Sequence, residues 1–281
     1  MQRWMEISSR FASRFLAAGL CVFAVACAGL PEQGSTAKPA SAVASVGQQK
    51  VMANVVEGVV EKVAVRSWPK TWEHYTLPGK HATDYVFANI DGRDSLAVTA
   101  VSSASLFRQK VRIEPKELDH LRFSWKVPAL IAQADLALRD NADSPVRIVL
   151  AFEGDRSRFS AKNAMLSELS HVLTGEPMPF ATLMYVWCNT REPGSVITSA
   201  RTDRIRKIVI ESGAKNLNQW LDYERNIRAD YEKAFGEAPG ALVGIGVMTD
   251  TDNTRSTARA WYGPVNFTSK ALGLADAAPL K

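Results

Sequence analysis

Apolar and polar residues alternate with a two-residue period along most of the chain, as expected for strands with one buried face. Leu106–Ile113 and Leu121–Val127 follow this alternation. Val146–Phe152 is apolar apart from Arg147 and therefore suits a central strand. The Asp91-Gly92 pair predicts a tight hairpin turn. Further strands are predicted at residues 59–65, 84–89, 95–101, 183–187, 204–211, 242–249 and 258–267.

Two segments have helical periodicity instead. Ser160 is a predicted N-cap, and Gly175 follows the last turn of its helix. This helix carries one apolar stripe, formed by Met165, Leu166, Leu169, Val172 and Leu173. Asn226 and Gly236 are predicted to bound a second helix, which has Ile227, Tyr231, Ala234 and Phe235 on one side. Residues 220–225 fit either a backward extension of that helix or a strand.

Many short strands and only two helices predict a mostly β fold, namely an antiparallel β-sandwich of jelly-roll, lectin-like type. A doubly wound parallel sheet is not expected, because the strands are not followed by regular helices. The predicted sandwich domain spans residues 55–268, and residues 269–281 are predicted to be a loose tail. Gly244 and Gly246 inside one strand predict a bulge or close packing across the core.

The first 26 residues are typical of an export signal, with a basic head, a short apolar run and small residues at the exit. The apolar run, residues 15–26, is shorter than the roughly 20 residues that span a bilayer. Ala24-Val25-Ala26-Cys27 resembles the bacterial lipobox, although Ala24 stands where leucine is usual. The alternatives are lipidation of Cys27 and ordinary cleavage after an Ala-x-Ala site, and we favour lipidation.

Lipidation of Cys27 predicts attachment to the membrane through an N-terminal lipid. Residues 27–54 would then form a flexible tether, since they are rich in Ala, Ser, Gly, Pro and Gln. Ala28 is not an aspartate, so the lipobox resemblance implies an outer-membrane lipoprotein on the periplasmic side of the bacterial cell envelope. Cys188 lies in an apolar run and is predicted to be a small buried residue.

The charge balance excludes one class of partner. The formal net charge of the chain is +5, and part of it lies in the signal, so no nucleic-acid partner is expected. The densest basic run alternates with apolar residues, as on a strand with one wet face, and consists of Arg201, Arg204, Arg206 and Lys207. The chain also lacks a nucleophile elbow, a phosphate loop, a His-Glu-x-x-His motif and a Cys-x-x-Cys motif.

Four blocks in order resemble one bacterial family, the domain of unknown function numbered 3047. The first block includes Ala134-Asp135-Leu136, Asp140, Asp143 and the run from Pro145 to Phe152. The others are Tyr185-Val186-Trp187 with Thr202-Asp203-Arg204, then Trp220 to Glu237, then Met248 to Gly263. The likeness covers roughly residues 65–268. It implies an exported bacterial domain with a lectin-like jelly roll, and it assigns no catalytic residue.

The acidic turn Asp250-Thr251-Asp252-Asn253-Thr254 is the first candidate site. Alternate residues of a loop can direct oxygens to one point, so Asp250, Asp252 and Asn253 are candidate ligands of a structural Ca²⁺. Asx residues also form turns by bonding their own backbone, which needs no ion. We favour the ion-free turn, with a structural calcium and direct ligand contact as alternatives, and we expect no other cofactor.

A second cluster of charged residues precedes the central strand. Its members are Asp135, Arg139, Asp140, Asp143 and Arg147. Because Arg147 begins an apolar run, it is expected to point into something polar. We favour a salt-bridged loop, and the alternative is the edge of a cleft. Asp140 and Asp250 would be the acidic pair of a carbohydrate-active hydrolase or lyase if they met.

Aromatic residues form the third candidate. Most of the tryptophans are expected in the core, Trp125 among them, whereas Trp68 and Trp72 flank Pro69 in a loop and are the better candidates for exposure. The favoured function is therefore a non-enzymatic envelope protein that binds a glycan or an envelope protein. The alternatives are the acid-based hydrolase or lyase and a purely structural role.

Overall fold

The computed structural model describes residues 71–268, and they contain thirteen strands and two helices. The strands are β1 (Glu73–Thr76), β2 (Asp84–Ile90), β3 (Arg93–Val101), β4 (Ser105–Ile113), β5 (His120–Lys126), β6 (Ser144–Phe152), β7 (Ala181–Cys188), β8 (Val196–Thr198), β9 (Ile205–Ser212), β10 (Trp220–Asn226), β11 (Leu242–Asp250), β12 (Thr257–Tyr262) and β13 (Asn266–Thr268). The helices are α1 (Ala161–Thr174) and α2 (Ile227–Phe235). The predicted signal, tether, strand at 59–65 and tail lie outside the described residues.

The strands form two sheets. The seven-stranded sheet has the order β1-β4-β11-β6-β7-β9-β8, and the six-stranded sheet has the order β10-β5-β12-β3-β2, with β13 pairing β5. Neighbouring strands are antiparallel except for β7 and β9, which run parallel. β8 lies between these two strands in sequence but pairs antiparallel with the far side of β9, where it forms the edge of the sheet. The predicted mostly β sandwich of jelly-roll type is therefore confirmed, with this one parallel pair as a local departure.

The main core lies between the two sheets. Phe123 of β5 stacks on Tyr185 of β7 with ring centroids 5.6 Å apart, which joins the sheets face to face. Trp125 is fully buried in the same layer, as its alternating strand predicts. The central position of β6 is also confirmed, since nearly all of its residues are buried on both faces.

Predicted turns and a predicted bulge occur where expected. Asp91 and Gly92 have φ angles of 55° and 77°, so both adopt the left-handed conformation that a two-residue hairpin turn between β2 and β3 requires. The pairing of β11 shifts register between Leu242 and Gly244, which is the predicted bulge. At Gly246 a Cβ atom would lie 3.2 Å from the carbonyl oxygen of Phe107, so close strand packing favours glycine there.

The ends of both helices agree with the sequence. The Ser160 side chain accepts from the Asn163 amide, and the Asn226 side chain accepts from the Ala229 amide. Each helix ends at a left-handed glycine, as predicted. Residues 220–225, for which the sequence allowed either a strand or a longer helix, belong to strand β10. Within residues 71–268, neither helix is long and apolar enough to cross a membrane.

The orientation of α1 differs from the usual expectation for an amphipathic helix. Its buried residues are the polar Asn163 and Ser167, whereas most of its apolar stripe faces solvent. The exposed members are Met165, Leu169, Val172 and Leu173. An apolar stripe normally packs against the core, so the periodicity identified the helix but not the face that it buries.

The basic run on β9 also differs from its prediction. A strand with one wet face would expose its basic side chains, but Lys207 is only 3% exposed. Arg204 is half-buried, lies over the Phe180 ring and donates to Glu237 at 2.7 Å. The prediction of a wet face is therefore wrong for these two residues, because the Leu136 loop encloses Lys207, while Phe180 and Glu237 cover Arg204.

Candidate functional site

The acidic turn is fixed from the loop that precedes β6. Asp143 is 1% exposed, and its carboxylate accepts hydrogen bonds from the Asn253 amide at 3.3 Å, the Thr254 amide at 2.7 Å and the Thr254 hydroxyl at 2.6 Å. Arg255 completes the turn with a φ of 53°. The carboxylate thus accepts from backbone N–H groups that would otherwise need another acceptor, such as water.

Arg147 and Asp250 form a buried ion pair on the outer face of the seven-stranded sheet. They are 4% and 6% exposed, and their closest nitrogen and oxygen atoms are 2.8 Å apart. The guanidinium also donates to the Ala142 carbonyl and contacts the Met184 sulfur at 3.8 Å. The expectation that Arg147 points into a polar environment is confirmed.

Asp252 lies beside this pair and is bound by Lys80. Burial raises the pKa of Asp250, an effect that the charge of Arg147 only partly offsets. Burial also acts to raise the pKa of Asp252, but the proximity of Asp250 and the hydrogen bond and charge of Lys80 outweigh it, so the pKa of Asp252 lies below its usual range. Of the two carboxyl groups, Asp250 is therefore the easier to protonate.

Lys207 closes the cluster from β9. Its ammonium donates to the Leu136 carbonyl at 2.7 Å beneath the loop that covers this face. Burial, assisted by the positive charge of Arg147, lowers the pKa of Lys207 from 10.5 to about 7. An amine with this pKa is an easily deprotonated group at neutral pH, but it is enclosed and hydrogen-bonded to backbone.

Three carboxylates in this cluster are close enough to approach one cation. Asp143, Asp250 and Asp252 each offer an oxygen within 4.8 Å of the others. Calcium needs six to eight oxygen ligands, whereas the turn, Arg147 and Lys80 each engage one of these carboxylates, and only Asp250 Oδ1 among their oxygens is buried without a hydrogen-bond partner. The arrangement favours the ion-free turn, and a structural calcium stays an alternative to be tested.

The predicted charged network before β6 does not form as one unit. Asp135 pairs with Arg191 at 2.6 Å and caps the Ala137 amide at 2.9 Å. Asp140 is exposed in a short 3-10 turn, while the Asp250 side chain is enclosed against Arg147. The loop is salt-bridged as predicted, but through separate pairs, Asp135 with Arg191 and Arg147 with Asp250. The geometry does not favour Asp140 and Asp250 as a catalytic pair.

The remaining candidates from the sequence are distributed elsewhere. The side-chain amide of Asn253 donates to the Arg139 carbonyl at 3.1 Å, so it serves the turn. Trp72 is half-buried rather than exposed, because it stacks on Phe107 with ring centroids 5.7 Å apart. Cys188 is buried as predicted. Trp68 and Cys27 lie outside the described residues.

The outer face of the six-stranded sheet carries a row of side chains that the sequence did not single out. Lys126 of β5 pairs in register with Trp220 of β10 on one side and with Trp261 of β12 on the other. All three point away from the core, because their chain neighbours Trp125, Leu221 and Tyr262 point into it. Within this row the Lys126 ammonium lies 5.7 Å from the Trp261 ring centroid.

A groove of about 490 Å³ continues from this row along β5 and β10. Its polar lining includes Arg93, Arg122, Ser124, Asp222, Glu224 and Asn266. Arg93 lies 4.8 Å from the Trp220 ring centroid and makes two hydrogen bonds to Asp222, at 2.7 and 3.3 Å. At Gly263 a Cβ would meet the Ser124 hydroxyl at 2.0 Å, so a side chain at this position would displace the groove wall.

We call the row Trp220–Lys126–Trp261 together with this groove the outer-sheet surface. Its charges are internally paired: Arg122 binds Glu224 at 3.1 Å, and Lys126 binds Asp91 at 2.6 Å. Alternation on β12 would have indicated that Trp261 faces outwards, because its neighbours Ala260 and Tyr262 are both buried in the core and side chains alternate between the two faces of a strand. Register across three strands, which brings the two tryptophans together, cannot be read from one sequence.

The sequence comparisons agree with the resemblance noted from the motifs. A family described as "Protein of unknown function (DUF3047)" matches residues 70–266. The chain belongs to this family. A search of curated proteins found no sequence match.

Several solved structures have a similar arrangement of strands. The family 11 carbohydrate-binding module of cellulase Lic26A-Cel5E from Clostridium thermocellum is 7% identical with a TM-score of 0.36, and the match covers 72% of this chain and 89% of the module. The xyloglucanase domain of NopAA from Sinorhizobium fredii is 10% identical, also with a TM-score of 0.36, and the match covers 71% of this chain and 93% of that domain. A variant of the Cel12A cellulase of Rhodothermus marinus is 10% identical with the same TM-score, and the match covers 71% and 97%. At these values the likeness carries no argument about function.

Proposed function

We propose that this chain is an exported, non-enzymatic protein of the bacterial cell envelope that binds a neutral glycan on the outer-sheet surface. One observation carries the proposal: two outward-facing tryptophans flank Lys126 and adjoin an open groove lined by hydrogen-bonding side chains. The groove volume lies in the range of about 300–1,000 Å³ that small-molecule sites occupy.

The chemistry of the surface suits a sugar. One face of a pyranose ring presents C–H groups, which pack on the electron-rich face of an indole. Arginine offers up to five N–H donors in a fixed geometry and carboxylates offer acceptors, so Arg93, Asp222 and Glu224 can bond several hydroxyl groups at once. Because their ion pairs already hold these side chains in place, binding would order few new groups.

The pairing of charges favours a neutral ligand. Arg93, Arg122 and Lys126 each have a carboxylate partner on the same surface, namely Asp222, Glu224 and Asp91. A phosphate or carboxylate ligand would have to compete with these partners, whereas hydroxyl groups can bond to both members of a pair. We therefore infer that uncharged oligosaccharides bind in preference to acidic ones.

A hydrolase or lyase is the weaker alternative. Hydrolysis requires one carboxylic acid that protonates the leaving oxygen and a second carboxylate across the scissile bond. Asp222 and Glu224 of the groove are each bound to an arginine, and Asp250 is enclosed beneath a loop. Ion pairing of this kind suits fixed hydrogen-bonding groups better than a proton donor.

The location is part of the proposal. The basic head, short apolar run and small-residue exit before Cys27 support export and lipidation. A lipid on Cys27 and the tether of residues 27–54 would hold the binding domain near the periplasmic side of the outer membrane. Mass spectrometry of the N-terminal peptide tests this directly: a diacylglyceryl group on Cys27 is expected, and an unmodified terminus at residue 27 would contradict it.

The binding proposal is tested with a glycan array, followed by calorimetry of the chain from residue 27 onwards. Trp220→Ala and Trp261→Ala should each weaken binding by about tenfold or more, because each removes a stacking face. Trp72→Ala is the matched control and should leave affinity unchanged. Unchanged binding in both surface variants would contradict the proposal, and release of shortened sugars by the wild type would favour the hydrolase.

A further inference from the structure

Helix α1 presents its polar side to the protein. Asn163 and Ser167 are buried, and the Asn163 side chain is hydrogen-bonded at 2.7 Å to both Thr202 and Asp203. Ser167 accepts from Arg156 at 2.8 Å. These contacts fix the rotation of the helix about its axis, so its apolar side cannot face the sheet without breaking them.

The opposite side of α1 is an exposed apolar stripe. Met165, Leu169, Val172 and Leu173 are 63%, 51%, 81% and 58% exposed. Their spacing of four, three and one residues places them on one face of a helix. Contiguous exposed apolar surface is unusual on a soluble domain and marks an interaction site.

The composition of the stripe argues against a protein partner. Protein interfaces depend on Trp, Tyr and Arg anchors, with Leu and Val under-represented, and the stripe has none of these anchors. A second copy is also disfavoured by area, because four side chains supply on the order of 400 Å², about half of what each partner of a stable dimer buries. The stripe is moreover a ridge on a helix and not a groove that could receive a segment.

The stripe shares two features with a helix that lies in a lipid interface, namely an exposed apolar face and a basic residue at its edge. Lys162 is exposed on the same side in the first turn, where its ammonium can reach phosphate groups while the apolar side chains enter the acyl boundary. The helix has 14 residues, too few to cross a bilayer, which takes about 20. A flat lipid surface contacts the whole ridge at once.

We propose that α1 binds the surface of a phospholipid bilayer through Met165, Leu169, Val172 and Leu173. This contact is separate from the predicted lipid on Cys27 and would orient the domain on the membrane. It does not depend on glycan binding, because α1 connects β6 and β7 of the seven-stranded sheet and the outer-sheet surface belongs to the other sheet.

The test uses the chain from residue 27 onwards with Cys27→Ser, so that no acyl chain contributes. Co-sedimentation is measured with vesicles of phosphatidylethanolamine and phosphatidylglycerol. Leu169→Asp/Val172→Asp should lower the partition coefficient by at least about tenfold. The control Ala164→Asp/His171→Asp places two aspartates at exposed positions outside the stripe. This variant should change the partition coefficient by less than about twofold.

A second measurement does not depend on how the aspartate variants fold. An environment-sensitive fluorophore is attached at Val172→Cys or at Ala164→Cys in the same chain, where Cys188 is buried and protected from labelling. Vesicles should shift the emission to the blue at position 172 and leave it unchanged at position 164. The proposal would be overturned if the wild type does not bind vesicles, or if both double variants bind them equally. It would also be overturned if light scattering shows a wild-type dimer that Leu169→Asp/Val172→Asp dissociates.

Discussion

The buried pair of Arg147 and Asp250 gives the sharpest prediction about stability. Arg147→Met keeps most of the side-chain volume but leaves the Asp250 carboxylate enclosed without its cation, and it also leaves the Ala142 carbonyl without this donor. Removing one partner of a buried ion pair costs about 3–5 kcal/mol. For a domain of this size the loss corresponds to a fall in melting temperature on the order of 10 °C.

The paired variant Arg147→Met/Asp250→Leu separates the cost of an unpaired charge from the cost of altered packing. Replacing both charges by apolar groups is often neutral within about 1–2 kcal/mol, so the double variant should recover most of the stability. Urea denaturation followed by tryptophan fluorescence measures the free energy of unfolding for the wild type, both single variants and the double variant. A single variant within about 1 kcal/mol of the wild type would refute the inference that the pair is buried and tightly coupled.

The pH dependence of Arg147→Met provides an independent check. Burial already raises the pKa of Asp250, and loss of the guanidinium raises it further above the unfolded value of about 3.9. A raised folded pKa means that the carboxyl contributes stability below the unfolded pKa and loses it as pH rises through the folded pKa. The defect of the variant should therefore be constant at acidic pH, where the carboxyl is protonated in both folded proteins, and grow as the pH rises through the raised pKa of wild-type Asp250.

Three further predictions concern the same cluster. Asp143→Ala should lower the free energy of unfolding by about 3 kcal/mol or more, because three hydrogen bonds from the turn lose their charged acceptor; a change below about 1 kcal/mol in urea denaturation would contradict this role. The fold lowers the pKa of Lys207 to about 7. As pH rises from about 7 to about 10, the free energy of unfolding of the wild type should therefore increase relative to that of Lys207→Met by on the order of 1 kcal/mol per pH unit. Parallel curves of stability against pH for the two proteins would contradict this prediction. Neither EDTA nor millimolar calcium should move the melting temperature if the turn is free of ions, whereas a calcium-dependent increase in calorimetry would establish the structural calcium instead.

Local chemistry explains why so much of the fold was predictable. The Asp91-Gly92 turn, the caps Ser160 and Asn226 and the alternation of β5 depend on residues close in sequence, and each was found where expected. Periodicity does not decide between helix and strand for residues 220–225, and pairing with β5 makes them a strand. Tertiary context decides such cases because propensity is a weak preference.

The candidate site was less predictable because it depends on long-range register. Asp143 and Thr254 are brought together across more than a hundred residues, and the two tryptophans flank Lys126 only because β5 lies between β10 and β12. The apolar stripe of α1 shows a different limit. Periodicity reports that a face exists, but the hydrogen bonds of Asn163 determine which face is buried.

The proposed function requires that a ligand docks on the outer-sheet surface. Hydroxyl-radical footprinting with a saturating concentration of the best oligosaccharide from the array measures it directly, since oxidation of each tryptophan is read separately by mass spectrometry. Oxidation of Trp220 and Trp261 should fall on binding, while that of Trp72 should stay unchanged. Undiminished oxidation at both positions, with protection of the turn at residues 250–254 instead, would contradict it.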